Sequence, residues 1–419
     1  MRRGRWFWST ACLSGVLAMT LLVQADGAGF AGGTATGRAG RSLPSAAATP
    51  VRIGVVVGQS GPDSLEGLSA VAGVEAAASY INHHGGVDGH PIEVTYKNDD
   101  SSPATAVSEV RSLYSSGIDL VVGGMIDGSC KAMQPIVQEL GMVEISPTCQ
   151  VYSVPTPKLP ASYFQVGPTN AGNAVAEARF AATVFPHVGK WVTSNPALGF
   201  GHTFASQFAR TLRSVDKHVK VGGAQYVPLA ATDFSPYVTP LEGQGGHNVG
   251  LVASTFGATL IGFTKAANAV GLFRHYSAFV ADSVMGPILG ALGSSAPNMW
   301  LDYTYYPSAF HNATNTQFVS TFRSLNKGQV PNAWNEMAYV ALSALAQAIG
   351  RAHSTKPAVV ERTMAGMRFA TPEGVVAIGK TTHLVEQGWV GIHVVPRPGS
   401  HLGYAVTKVI YIPYARLGE

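Results

Sequence analysis

Ser129 and the glycine before it are the residues of this chain best placed to hold a small anion. They stand just ahead of a stretch, about 131–140, whose pattern predicts a helix. Unpaired amides at a helix start and the helix dipole favour negative charge, so the Gly128 and Ser129 N–H groups suit a carboxylate. The plainer reading is that Ser129 only caps its helix, and the two roles are compatible. Bond-breaking chemistry has little to work with. The sequence holds no Gly-x-Ser-x-Gly elbow, no His-Glu-x-x-His, no phosphate loop and no Gly-x-Gly-x-x-Gly at its first strand. His83 and His84 sit on consecutive helical positions that point different ways, so no metal site is expected, and no cofactor. An enzyme is the rival class, and the residues give it little.

The elements that must position these loops alternate between strand and helix. Val51-Arg-Ile-Gly-Val-Val-Val57 is a β-branched run suited to a buried strand, and Gly58, Gly61 and Pro62 end it. A helix is predicted over about 65–83, with Leu65, Leu68, Ala72, Glu75, Ala76, Ser79 and Tyr80 at helical spacing and Gly85-Gly86 as its stop. Residues 92–96 read as a second strand, followed by Asp100 to Ser102 as N-cap chemistry, Pro103 in the first turn and a helix over 104–115. Residues 118–123 form a third strand, 124–130 a loop and 143–146 a fourth strand. Such alternation implies a parallel sheet, whose ligands sit beyond the carboxyl ends of the strands. Three loops therefore converge on one rim: 58–66, 124–129 and 146–150. The pattern then restarts: 189–193 reads as a strand, 203–215 as a helix and 218–222 as the approach to another strand. Residues 248–254, 259–271 and 277–282 complete a second module, so the predicted architecture is two similar α/β halves with a cleft between them.

The first 25 residues bound where the protein works. Arg2, Arg3 and Arg5 precede an apolar stretch over 9–23, and Val23-Gln-Ala25 offers the small residue a signal peptidase needs. The stretch is short for a membrane span, which takes about 20 residues. Export to the periplasm or the cell surface is expected, with a lipid anchor at Cys12 as the lesser alternative. Residues 26–50 read as a flexible linker rich in Gly, Ala, Ser and Thr. The formal charge of +4 falls toward neutrality once the three arginines leave, which removes the electrostatic case for nucleic acid. Cys130 and Cys149 then remain as an even pair in an oxidising compartment, where a disulfide is expected; two buried thiols are the alternative.

Ile53-Gly-Val-Val-Val57 with Ser60-Gly-Pro62, Tyr80-Ile-Asn82 with Gly85-Gly-Val-Asp-Gly89, and Asp99-Asp100 with Pro103 resemble the opening of the type I periplasmic binding proteins. The nearest likeness is to substrate-binding components of branched-chain amino acid type ABC transporters. Phe164-Gln-Val-Gly-Pro168 resembles the first passage between lobes, and Ala338-Tyr-Val-Ala-Leu342 a late helix. The resemblance implies two Rossmann-like lobes joined by a three-segment hinge. The first would be residues 51–168 plus 304–383, the second 169–303 plus 384–419. It also implies a small-molecule ligand, a permease as partner, and no catalysis; the same fold can serve a sensor that presents its closed form to a receptor.

Carried over residue by residue, the resemblance gives the Ser129 loop, with Ser60 in the rim, to a ligand carboxylate. It gives the Thr148 carbonyl and Asp282 to an ammonium, and Phe200 and Phe256 to the walls; ordinary core is the alternative for each phenylalanine. Gln150 replaces a threonine that often assists. Glu66 and Asp127 depart from the family, standing where an aromatic and a small hydroxyl residue are common. With Asp282 they could surround a ligand carrying an extra positive charge, or they point to solvent and cap helices. Thr371-Pro-Glu-Gly-Val-Val376 with His383 and Trp389-Val-Gly-Ile392 resembles the end of binding proteins for urea and short amides.

Overall fold

The computed structural model describes residues 48–417 apart from Pro62, Ile126 and Ser153. The expected signal segment, Cys12 and nearly all of the linker lie outside the described residues. The first sheet is built from β1 (Val51–Val57), β2 (Ile92–Asn98), β3 (Leu120–Gly123), β4 (Val143–Ser146) and β5 (Tyr163–Gln165), in the spatial order β2-β1-β3-β4-β5. Every pairing in it is parallel, with Val51 opposite Ile92 and Gly54 opposite Val121. Parallel strands with helices on both faces must be apolar on both faces, which is why β1 and β3 read as unbroken aliphatic runs. Helices α1 (Ser64–His83), α2 (Pro103–Ser115) and α3 (Asp127–Glu139) alternate with these strands.

The second sheet takes β6 (Lys190–Pro196), β7 (Lys220–Val227), β8 (Gly246–Ala253), β9 (Tyr276–Asp282) and β10 (Met299–Tyr303) from the middle of the chain. Helices α4 (Asn170–Val184), α5 (Gly199–Val215), α6 (Ser235–Glu242), α7 (Gly257–Ala269) and α8 (Met285–Leu292) accompany them. After Tyr303 the chain leaves this sheet and forms α9 (Ala313–Leu325) and α10 (Ala333–Ala352), both packed against α1. A hairpin of β11 (Arg368–Thr371) and β12 (Gly374–Ala377) follows. The chain then returns to the second sheet as β13 (Trp389–Pro396) and β14 (Tyr404–Ile412), added antiparallel beside β10. It thus passes between the two sheets three times: after Gln165, after Tyr303 and before Trp389.

Two local expectations change. The loop after β3 is shorter than the sequence suggested, because α3 begins at Asp127 and takes Gly128 and Ser129 into its first turn. The buried face of α1 is not the Leu65–Leu68 stripe, since both leucines are more than half exposed. Its buried residues are Gly67, Ala70, Gly73, Val74, Ala76 and Ala77. Small residues win here because α10 comes so close: a Cβ on Gly73 would lie 2.1 Å from the Asn335 carbonyl oxygen. Asn335 closes a capping box with Asn332 at the start of α10, and its Nδ2 donates to the Ser69 carbonyl at 2.8 Å. Fifteen of the 20 residues of α10 are buried, which makes that helix the core element under the first sheet.

Candidate functional site

The carboxyl ends of both sheets open on a common cavity of about 480 Å³. From the first sheet come Asp63, Glu66, Asp127, Thr148 and Gln150; the second supplies Phe200, Phe256, Asp282 and Tyr303, and α10 adds Trp334. All three loops expected at the rim take part. The Phe200 and Phe256 rings meet edge to face with centroids 5.9 Å apart and form one apolar wall. Phe256 is 42% exposed, so it belongs to the cleft surface rather than to the core.

The first wall is held by polar ties between loops. Asp127 Oδ1 accepts the Gln150 backbone N–H at 2.9 Å, joining the start of α3 to the loop after β4. The Cys130–Cys149 disulfide fastens the same two segments, with Cα atoms 6.2 Å apart. Gln150 reaches farther still, donating from Nε2 to the Tyr303 hydroxyl at 3.0 Å. Thr148 and Asn173 flank that hydroxyl, and burial with the nearby Asp282 charge raises the Tyr303 pKa. Burial likewise raises the carboxyls of Glu66 and Asp127, while the Gln150 N–H pulls Asp127 back.

Ser60, Gly128 and Ser129 do not line the cavity. Ser60 is exposed and lies in a network with Asn98 and Asp100, accepting from Asn98 Nδ2 at 2.9 Å, which ties the loop after β1 to the loop after β2. Gly128 is exposed with Pro103 beside it. Ser129 is 1% exposed, and its hydroxyl turns toward the buried Asp99. The helix start expected to receive a ligand carboxylate therefore carries the chain's own carboxylate, Asp127, in its first turn.

The second wall has an acid at its floor. Asp282, the last residue of β9, is 6% exposed, and its Oδ1 has no hydrogen-bond partner among the described residues. Behind it stand Asp302 on β10 and Glu177 on α4, both fully buried. Asp302 Oδ2 accepts the Trp389 indole N–H at 2.7 Å. Burial raises the Asp302 pKa to about 6, partly offset by the Trp389 hydrogen bond. Glu177 and Asp282 are driven well above the carboxylate range, by burial first and by the Asp302 charge second.

The passages between the sheets carry a third group of acids. Gln387 Nε2 donates to both oxygens of Glu336, at 3.3 and 3.2 Å. Glu373, in the β11–β12 turn, accepts the Gly388 N–H at 2.7 Å and the Tyr411 hydroxyl. Burial and mutual repulsion raise Glu336 to about 8, and burial raises Glu373 to about 7. The Pro372-Glu373 segment and His383, which stacks on Phe164, thus serve the passages and not the cavity. A smaller cavity of about 80 Å³ also lies there, lined by Pro168, Thr304 and Trp389, with room for little beyond a few waters.

Asp63, Tyr303 and Trp334 were missing from the sequence reading. Asp63 lay within the expected rim loop and could have been found there. Tyr303 ends a strand that the sequence reading did not assign, and Trp334 follows the Asn332 cap some 270 residues from the first rim loop. Among the described residues no helix is long and apolar enough to cross a membrane, and no cluster of His, Cys, Asp or Glu could hold a metal.

Comparison with known proteins gives a consistent result. A family model described as periplasmic binding protein matches residues 50–395. The Leu/Ile/Val-binding protein homolog 1 of Brucella suis biovar 1 is 24% identical over 316 residues, covering 75% of this chain and 82% of that protein. The amino acid ABC transporter substrate-binding protein of Pseudomonas fluorescens Pf-5 superposes with a TM-score of 0.77 at 19% identity, over 87% of this chain and 96% of the other. A solute-binding protein of Rhodopseudomonas palustris BisB5, solved with 3,4-dihydroxybenzoic acid, gives 0.72 at 17% identity over 87% and 98%. With two α/β lobes, three passages between them and a match spanning most of its length, the chain belongs to the periplasmic binding protein family.

Proposed function

We propose that this protein is an exported solute-binding protein that captures a small polar molecule, an amino acid or a related compound, and hands it to an ABC permease. The observation that carries this reading is the cavity of about 480 Å³ at the strand ends, lined from both lobes, a size and placement suited to a small ligand. The lobes are taken as residues 51–168 plus 304–383 and 169–303 plus 384–419, with the passages near 168, 304 and 384 as hinges. Asp282 and Thr148 hold the ligand's cationic end, Phe200 and Phe256 cover its apolar body, and Glu66, Asp127 and Gln150 close the first-lobe side. Ser60 and Ser129 act on the rim from outside the lining by fixing its loops. Binding favours the closed population, and the closed surface is what the permease reads. The fold binds without making or breaking bonds, in keeping with a family of solute-binding proteins.

Trp334 lines the cleft and reports on it. A tryptophan-fluorescence titration of the purified protein against amino acids, amines, amides and aromatic acids is expected to saturate with one class. A thermal shift should accompany it, since ligand at 100 times its dissociation constant adds about 2.7 kcal/mol. A panel that leaves both fluorescence and unfolding unchanged would overturn the reading.

A further inference from the structure

Four acids line the cleft: Asp63, Glu66 and Asp127 from the first lobe and Asp282 from the second. None of the described lining residues is Lys, Arg or His. Ion pairs among the described residues join Lys97 to Glu109, Arg111 to Glu139 and His353 to Asp88, and none involves the cleft acids. Helix starts account for acids on the first-lobe rim taken singly. They do not account for Asp282, which ends a strand, lines the cavity, is 94% buried and has an oxygen, Oδ1, without a hydrogen-bond partner among the described residues. A buried carboxylate without a partner is costly, and a cation is the partner that removes the cost. Much of the remaining lining is apolar or aromatic, and Phe200, Phe256 and Trp334 are rings of the kind that attract a cation further.

We propose that the cleft selects a solute of net positive charge, with two protonated nitrogens on an apolar chain, one set against Asp282 and the other facing Asp127 and Glu66. This rests on the solute-binding reading above and narrows its ligand class. Neutral amino acids satisfy Asp282 alone and bring their carboxylate against Asp127, at the helix start where a ligand carboxylate would otherwise sit. Aromatic acids bring only negative charge. Two sources share the favoured chemistry, an alkyl diamine and a basic amino acid, and they differ by one carboxylate.

Titration calorimetry on the purified protein decides between them, with 1,5-diaminopentane, lysine, leucine and benzoate as probes. The expected result is saturable binding of the diamine, of lysine or of both, with leucine at least tenfold weaker and benzoate silent. Lysine binding as well as the diamine would mean that the carboxylate is tolerated; the diamine alone would mean that it is excluded. Glu66→Gln with Asp127→Asn should weaken the cation at least tenfold, and Glu66→Gln alone severalfold if the double variant fails to fold. Leucine or benzoate outbinding both cations would overturn the proposal while leaving solute binding intact. Unchanged cation affinity in Glu66→Gln and the double variant would do the same. Silence from all four probes would overturn it too, and the wider fluorescence panel then decides whether solute binding itself survives.

Discussion

The two walls of the cleft carry their acids in opposite ways. On the first lobe, Glu66 and Asp127 are half-buried, sit in the first turns of helices and stay close to water. On the second, Asp282 is buried and backed by Asp302 and Glu177, two more acids with no ion-pair partner among the described residues. Charge on the first wall costs the fold little, because helix amides and solvent share it. Burial on the second wall disfavours the charged form until a cation arrives. The first wall can therefore set preference among ligands, while the second couples ligand capture to the stability of the lobe.

The largest expected effect is the response to pH of the buried acids, those of the passages together with those behind the second wall. Carboxyls whose folded pKa lies above the ordinary value stabilise the fold below that value and lose the contribution as pH rises through the folded one. Glu336 moves from 4.5 to about 8, Glu373 from 4.5 to about 7 and Asp302 from 3.8 to about 6. Ligand-free protein should thus lose stability between about pH 4 and pH 8, Glu336 alone accounting for on the order of 5 kcal/mol at about 1.4 kcal/mol per pKa unit. Melting curves across that range check it, and Glu336→Gln should flatten the slope. A melting temperature that climbs steadily to pH 8 would show these acids to be better solvated than their burial implies.

Reduction acts on the first wall. The Cys130–Cys149 bridge closes a 19-residue separation, so its loss should cost about 3 kcal/mol. Chemical denaturation with and without reductant measures that loss, and ligand affinity should fall with it because both cysteines neighbour lining loops.

The same chemical change should then raise ligand-free stability on the second wall and leave it nearly unchanged on the first. Asp282→Asn is expected to raise ligand-free stability at pH 8 by about 1 kcal/mol while lowering affinity, since it removes a buried carboxylate without a partner. Glu66→Gln should leave stability within about 0.5 kcal/mol, as surface changes usually do. Equal melting shifts for the two variants would erase the distinction between the walls. A comparably small effect is expected at the tie between the lobes. Gln150→Ala removes the bond to Tyr303 and should cost about 1 kcal/mol, matched by Tyr303→Phe and not added to in the double variant.

Local chemistry made much of this legible in advance. The strand beginning at Val51, the Ser102-Pro103 helix start and the restart near Lys190 follow from runs and caps a few residues long. Glu66, Asp127, Thr148, Gln150, Phe200, Phe256 and Asp282 reach one cavity because each stands just beyond a strand of its sheet. The buried face of α1 was not legible in the periodicity, because α10 packs so tightly that glycine and alanine make the contact. Ser129 misled for a related reason. A helix that starts about four residues early takes Ser129 into its buried first turn, away from the cavity lining, and propensity does not fix such boundaries.

What the sequence by itself determined is the alternation of elements, the sheet type that follows from it and the set of loops that must share a rim. These rest on hydrophobic runs and capping residues that act within one turn or one strand. Only the tertiary structure decided which acids stand together. Glu177, Asp282 and Asp302 come from α4, β9 and β10, and Trp334 comes from a helix packed under the other lobe. Their shared electrostatics arise from burial and proximity across more than a hundred residues of chain, quantities that no local pattern encodes.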